Sequence, residues 1–134
     1  EHALSSGRTG RYALQAAIAA LHAEAATASE TDWPQIVALY DLLIRLDSSP
    51  VVALNRAVAV SQRDGAAAGL GVIEGLMAEG ALERYHLAHS ARAELCRRLG
   101  RTSEARESYD RALALVRQEP ERRFLEGRRA SLER

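Results

Sequence analysis

The sequence predicts an all-α fold, a stack of antiparallel helical hairpins built from about seven helices with the last one capping the stack. Three observations predict it. From Tyr12 to Val60 apolar residues recur at three- and four-residue spacing between marked helix starts and stops. The hydrophobic set is made of small side chains: of 134 residues, 47% are hydrophobic and only 4% aromatic, so one core closes only if backbones approach closely. Gly65 and Gly100, each at the end of an apolar-periodic run, lie 35 positions apart, close to the ~34-residue period of helical-hairpin repeats.

Residues 1–10 read as the tail of a helix cut off upstream and a linker, so the chain is expected to be part of a longer protein, with 11–134 forming a single helical-repeat domain. The first helix, predicted over 11–26, carries Leu14, Ala17, Ile18, Leu21 and Ala25 on one face, with alanines between them that favour helix and add little bulk. A polar gap, Thr27 to Thr31, follows. Asp32-Trp33-Pro34 then supplies an N-cap and a first-turn proline whose missing donor costs nothing there. The second helix, 34–47, presents Ile36, Leu39, Leu42, Leu43 and Leu46, and Ser49-Pro50 restarts the chain as a third helix over 50–63. The fourth, 66–79, holds Gly69, Gly71 and Gly75. Each interior glycine costs about 1 kcal/mol relative to alanine, so this helix is either the least stable or the one on which another backbone packs most tightly. The fifth and sixth helices are predicted over 82–99 and 103–117. In the sixth, Ala105, Tyr109 and Ala112 follow Gly100 at the small–aromatic–small spacing of the second helix in a tetratricopeptide (TPR) hairpin. Glu119-Pro120 opens the seventh, 120–132, which caps three TPR-like hairpins.

Particular residues carry a resemblance. Gln15 to His22 (QAAIAALH), Thr31-Asp32-Trp33 with Ile36, Leu39 and Tyr40, and Ser49 to Ala57 (SPVVALNRA) resemble the C-terminal, TPR-like extension of a group of extracytoplasmic-function sigma factors, bacterial transcription initiation factors. The likeness continues through Arg92 to Leu95, Leu99 to Ala112 and Glu121 to Leu125, where the sequence is ordinary for TPR-like repeats. One departure is Arg11 between Gly10 and Tyr12, where the resemblance leads us to expect proline; it loosens the start of the first helix. The resemblance implies a cytoplasmic regulatory domain without a cofactor. Its partners would be the sigma core domains upstream in the same chain, RNA polymerase or a regulatory protein, while DNA would be touched only by the upstream domains. A free-standing TPR-like adaptor that takes a peptide from an unrelated partner is the alternative.

Composition narrows the function classes. Acidic and basic residues balance at 18 each, and every basic one is arginine. Zero net charge argues against an autonomous nucleic-acid-binding module. The arginines at 117, 122, 123, 128, 129 and 134 are interleaved with Glu119, Glu121, Glu126 and Glu133, the pattern of a salt-bridged, solvated helix face. No apolar run approaches the ~20 residues that a bilayer-spanning helix needs, and the amino end has neither a basic flank nor an apolar segment. The lone Cys96, beside Leu95 and Leu99, reads as a buried thiol. Glu83, His86 and His89 share a helix face, but too few further ligands accompany them for a metal site. Ser61, Ser90 and Ser108 lack a nucleophile elbow, and Gly69-Leu70-Gly71 lacks the preceding strand of a phosphate-binding loop. A non-enzymatic chain is therefore expected.

The expected functional surface is a groove. In stacked hairpins the first helix of each pair lines one side, which nominates Gln15 and His22 on the first helix, Asn55 and Gln62 on the third, and His86, His89 and Arg92 on the fifth. Asn55 and Arg56 read equally well as structural groups, bonding backbone or pairing with Asp32, Asp41 or Asp47. Trp33 and Tyr40, seven apart, are expected in interhelical packing. A ligand held between His22, Asn55 and His89 would require a closed apolar pocket.

Overall fold

The computed structural model describes residues 2–25 and 30–133, residues 2–7 through their backbone. Among them the chain forms seven helices and no strand: α1 (His2–Glu24), α2 (Trp33–Leu46), α3 (Pro50–Asp64), α4 (Ala66–Ala78), α5 (His86–Arg98), α6 (Thr102–Leu115) and α7 (Glu119–Ser131). Each helix packs on its neighbours in sequence, which makes a TPR-like stack of antiparallel hairpins closed by α7. The polar gap predicted at Thr27 lies, as far as Ser29, outside the described residues.

Local chemistry sets the helix ends. Asp32 Oδ1 accepts from the Gln35 amide at 3.1 Å, with Pro34 in the first turn of α2. The α2–α3 corner is a chain of caps: Asp47 Oδ1 accepts from the Ser49 amide at 3.0 Å, and Ser49 Oγ accepts from the Val51 amide at 3.2 Å beside Pro50. Gly100, at φ +76°, ends α5 in a left-handed residue; its amide donates to Arg97 O, and the Arg101 amide reaches back to Cys96 O at 2.8 Å. That pair of bonds is a Schellman motif, which a residue with a Cβ forms only under strain.

The core has two adjoining parts. Ile18, Ile36, Val37, Leu43, Val52 and Val60 fill the first, between α1, α2 and α3. The second runs from α3 to α7 around Leu70, Ile73, Leu82, Leu95, Tyr109 and Leu125, and Val72 of α4 packs against both. Ala105, Tyr109 and Ala112 are buried as the hairpin pattern requires. Fully burying each of the larger aliphatic side chains contributes about 1.5–3 kcal/mol. Gly69 is the close approach anticipated for α4: a Cβ there would stand 2.3 Å from Ser61 Cβ, whereas Gly71 and Gly75 face open space.

Two boundaries differ from expectation. The first helix, expected from residue 11, starts earlier: α1 runs without interruption from His2 to Glu24. With Arg11 in place of proline a backbone donor is retained, and Gly10 sits where a Cβ would meet Leu46 Cδ1 at 3.0 Å, so its small size serves the α1–α2 contact. The fifth helix starts at His86 rather than at 82. Gly80 to Tyr85 form successive turns, with the Glu83 amide bonded to Gly80 O and the Tyr85 amide to Leu82 O, while the Leu82 side chain is buried as an anchor.

Candidate functional site

Helices α1, α3, α5 and α7 share one side of the stack, and three depressions lie along it. The first, about 310 Å³, lies between α1, α2 and α3 and is lined by Gln15, His22, Asn55, Tyr40, Ile18 and Val52. Gln15 and His22, two turns apart on α1, thus meet Asn55 across the seam. His22 also stacks edge-on against Trp33, with ring centroids 5.3 Å apart and planes at 72°. Trp33 and Tyr40 are half-buried against the first core, and burial pushes the Tyr40 hydroxyl up from its ordinary pKa.

The second depression, about 440 Å³, lies between α3, α5 and α7, with Val58, Leu87, Ala91 and Phe124 among its walls and Tyr109 of α6 also lining it. A third of about 300 Å³ continues over the start of α7 through His86 and Pro120, sharing Leu87, Ser90, Phe124 and Leu125 with the second. Glu94 faces this side and gathers Arg97 at 2.5 Å, Arg98 at 3.3 Å and Arg128 at 4.0 Å, and accepts from the Tyr109 hydroxyl at 3.3 Å. Burial alone would raise the Glu94 pKa, but hydrogen bonds from Arg97 and Arg98 and the charges of Arg97 and Arg128 outweigh it and hold it low.

The structure separates the other nominated residues. His86 Nε2 donates to Glu121 Oε2 at 2.8 Å, tying α5 to α7. His89 points the other way and is only 3% exposed. Its Nε2 donates to Glu83 O at 2.8 Å; a carbonyl only accepts, so Nε2 carries the proton and the ring fastens the turn before α5. Glu83 is in that turn and not on the helix, so the helical Glu83–His86–His89 face does not form. Arg92, 16% exposed, lies between helices: it donates to Glu74 of α4 at 3.1 Å and to Glu104 and Ser108 of α6 at 3.2 and 2.6 Å. His89 and Arg92 are therefore structural straps, and His22 and Asn55 line one depression while His89 lines another, with Met77, Arg92 and Ser108. Gln62 is exposed on α3 and lines none of the three depressions. Arg56 Nε donates to Asp41 Oδ1 at 2.6 Å, which resolves its alternatives in favour of an α3–α2 ion pair.

Leu87, Glu94, Arg98, Phe124 and Arg128 belong to this side and were absent from the sequence nomination. A signal for them existed. Leu87, Ala91, Glu94 and Arg98 follow helical spacing, and adjacent Phe124 and Leu125 cannot both face the core when a helix turns about 100° per residue. Cys96 is fully buried, and burial raises its thiol pKa. Among the described residues no group of three or more His, Cys, Asp or Glu side chains converges as metal ligands would, and no helix is long and apolar enough to cross a membrane.

Fold and site together define a helical-hairpin repeat with a partly apolar, arginine-edged groove. An uncharacterized protein of Rhizobium meliloti (strain 1021) is 49% identical to the chain over 116 residues, which are 87% of this chain and 27% of that protein. The chain thus spans about a quarter of the length of the curated relative it matches. No family model matches the chain, and no solved structure matches it.

Proposed function

We propose that this chain is a regulatory interaction domain, the C-terminal domain of an extracytoplasmic-function sigma factor, which supports promoter-specific transcription initiation through protein–protein contacts. The observation that carries the binding reading is the side formed by α1, α3, α5 and α7, where Asn55, Val58, Leu87 and Phe124 are solvent-facing beside open depressions. The sigma-factor reading is supported by the residue patterns around Gln15–His22, Asp32–Trp33 and Ser49–Ala57. On this reading the protein works in the bacterial cytoplasm, and its partners are the sigma core domains, RNA polymerase or a regulatory protein. The mechanism is a population shift: a groove that binds one arrangement of the sigma domains tenfold better than another favours it by about 1.4 kcal/mol.

The test is transcription from the protein's own promoter by purified RNA polymerase, comparing the longer protein with a form lacking this domain. Lost or altered promoter-specific activity is the expected result. Unchanged transcription and unchanged polymerase affinity would refute the regulatory role.

A further inference from the structure

We propose that the groove between α3, α5 and α7 takes an acidic, amphipathic peptide segment of a partner protein, its bulky apolar side chains against Val58, Leu87 and Phe124 and its carboxylates on Arg98 and Arg128. The inference rests on this side of the stack being a binding surface and specifies the partner's chemistry.

Three large apolar side chains from three helices stay open to water in one place: Phe124 is 59% exposed, Leu87 43% and Val58 39%. Between them Ser90 and Ala91 are too short to fill the space, which leaves two connected lobes of about 440 and 300 Å³. Two lobes that share Leu87 and Phe124 suit two neighbouring bulky side chains of one segment. An exposed aromatic in such a depression is the kind of side chain that dominates binding when a partner covers it.

Charge selects among partners. Glu94 is a single carboxylate facing three guanidinium groups, Arg97, Arg98 and Arg128, so the cluster keeps an excess of two positive charges. Asp110 pairs with Arg129, and Glu121, which lines the far lobe, is paired there with His86, so the positive excess lies at the Arg98–Arg128 end of the groove. The Arg128 guanidinium lies 5.3 Å from the centre of the Phe124 ring, and its Nε is buried without a hydrogen-bond partner among the described residues. A carboxylate arriving beside the apolar lobes would meet Arg98 and Arg128 as charge-assisted donors. A basic or purely apolar segment would leave that excess uncompensated as water is excluded.

The test pans a phage library of short random peptides against the full 134-residue chain and measures the affinity of synthetic copies of enriched peptides by fluorescence anisotropy. Enriched peptides are expected to pair bulky apolar residues with Asp or Glu. Phe124→Ser should weaken them at least about tenfold, with circular dichroism and melting unchanged because the ring is largely exposed. Arg98→Glu and Arg128→Glu should each weaken binding, and replacing the peptide's acid by lysine should restore it on those variants. Enriched peptides that are basic or uncharged, or whose binding ignores Phe124→Ser, overturn the inference. In that case the groove reading survives if Gln15→Ala or Asn55→Ala weakens them. No enriched peptide from a monomeric chain overturns both. A concentration-dependent dimer abolished by Phe124→Ser would make a second copy the occupant and overturn the partner-peptide assignment.

Discussion

Gly69 of α4 packs against Ser61 of α3 with no room for a side chain, and Gly69→Ala yields the sharpest prediction. A Cβ at position 69 would lie 2.3 Å from Ser61 Cβ and 2.8 Å from Ser61 Cα, where carbon atoms normally rest about 3.5–4.0 Å apart. One of those atoms is backbone and cannot rotate aside, so α3 and α4 would have to separate along the seam where both cores meet. Overpacking of this kind costs about 1–3 kcal/mol, and the rigid contact puts this site near the upper end. Alanine returns about 1 kcal/mol of helix propensity, leaving a net loss of about 2 kcal/mol. For a chain of this size that lowers Tm by about 8 °C. Gly71→Ala and Gly75→Ala meet nothing within 4 Å and should each gain about 1 kcal/mol from the same propensity term. Urea denaturation and thermal melting of the three variants side by side provide the assay. A Gly69→Ala protein as stable as the parent, alongside a stabilised Gly71→Ala, would refute the close-packing argument.

Three further outcomes follow from the geometry. Gly100→Ala should destabilise by about 1–2 kcal/mol in urea titrations, because its φ of +76° is strained for any residue with a Cβ. Arg92→Leu should lose about 2 kcal/mol, since it removes charged hydrogen bonds that join α5 to Glu74, Glu104 and Ser108; a loss below experimental error would show the strap to be idle. Glu94 has a lowered folded-state pKa, so its contribution to stability is complete above its unfolded pKa and disappears as pH falls through the folded value. Glu94→Gln should therefore flatten stability against pH across the acidic range below about pH 4.5, and an unchanged acid limb would refute its ionic role.

Helix identity was legible because its determinants are local. Asp32, Pro34, Ser49, Pro50 and Gly100 act within one turn of chain, and the caps and stops stand where those residues place them. The start of α5 was not legible, because Leu82 continues the apolar period, yet its side chain anchors a turn that the distant His89 ring fastens. The extent of α1 was not legible for a related reason: the contact that Gly10 makes depends on Leu46 of another helix.

The candidate site divides along the same line. Gln15, His22 and Asn55 share a depression because helical spacing and hairpin order suffice to place them. His89 and Arg92, chosen by the same logic, turned inward, because the rotation of α5 is decided by Leu95, Cys96 and Ala93 packing against its neighbours. What the sequence determined by itself was the helices and their order, through caps, prolines and apolar periodicity that act over a few residues. Which face of each helix meets water was decided only when the cores closed, since burying one side chain of an adjacent pair, Leu125, obliges the other, Phe124, to remain outside.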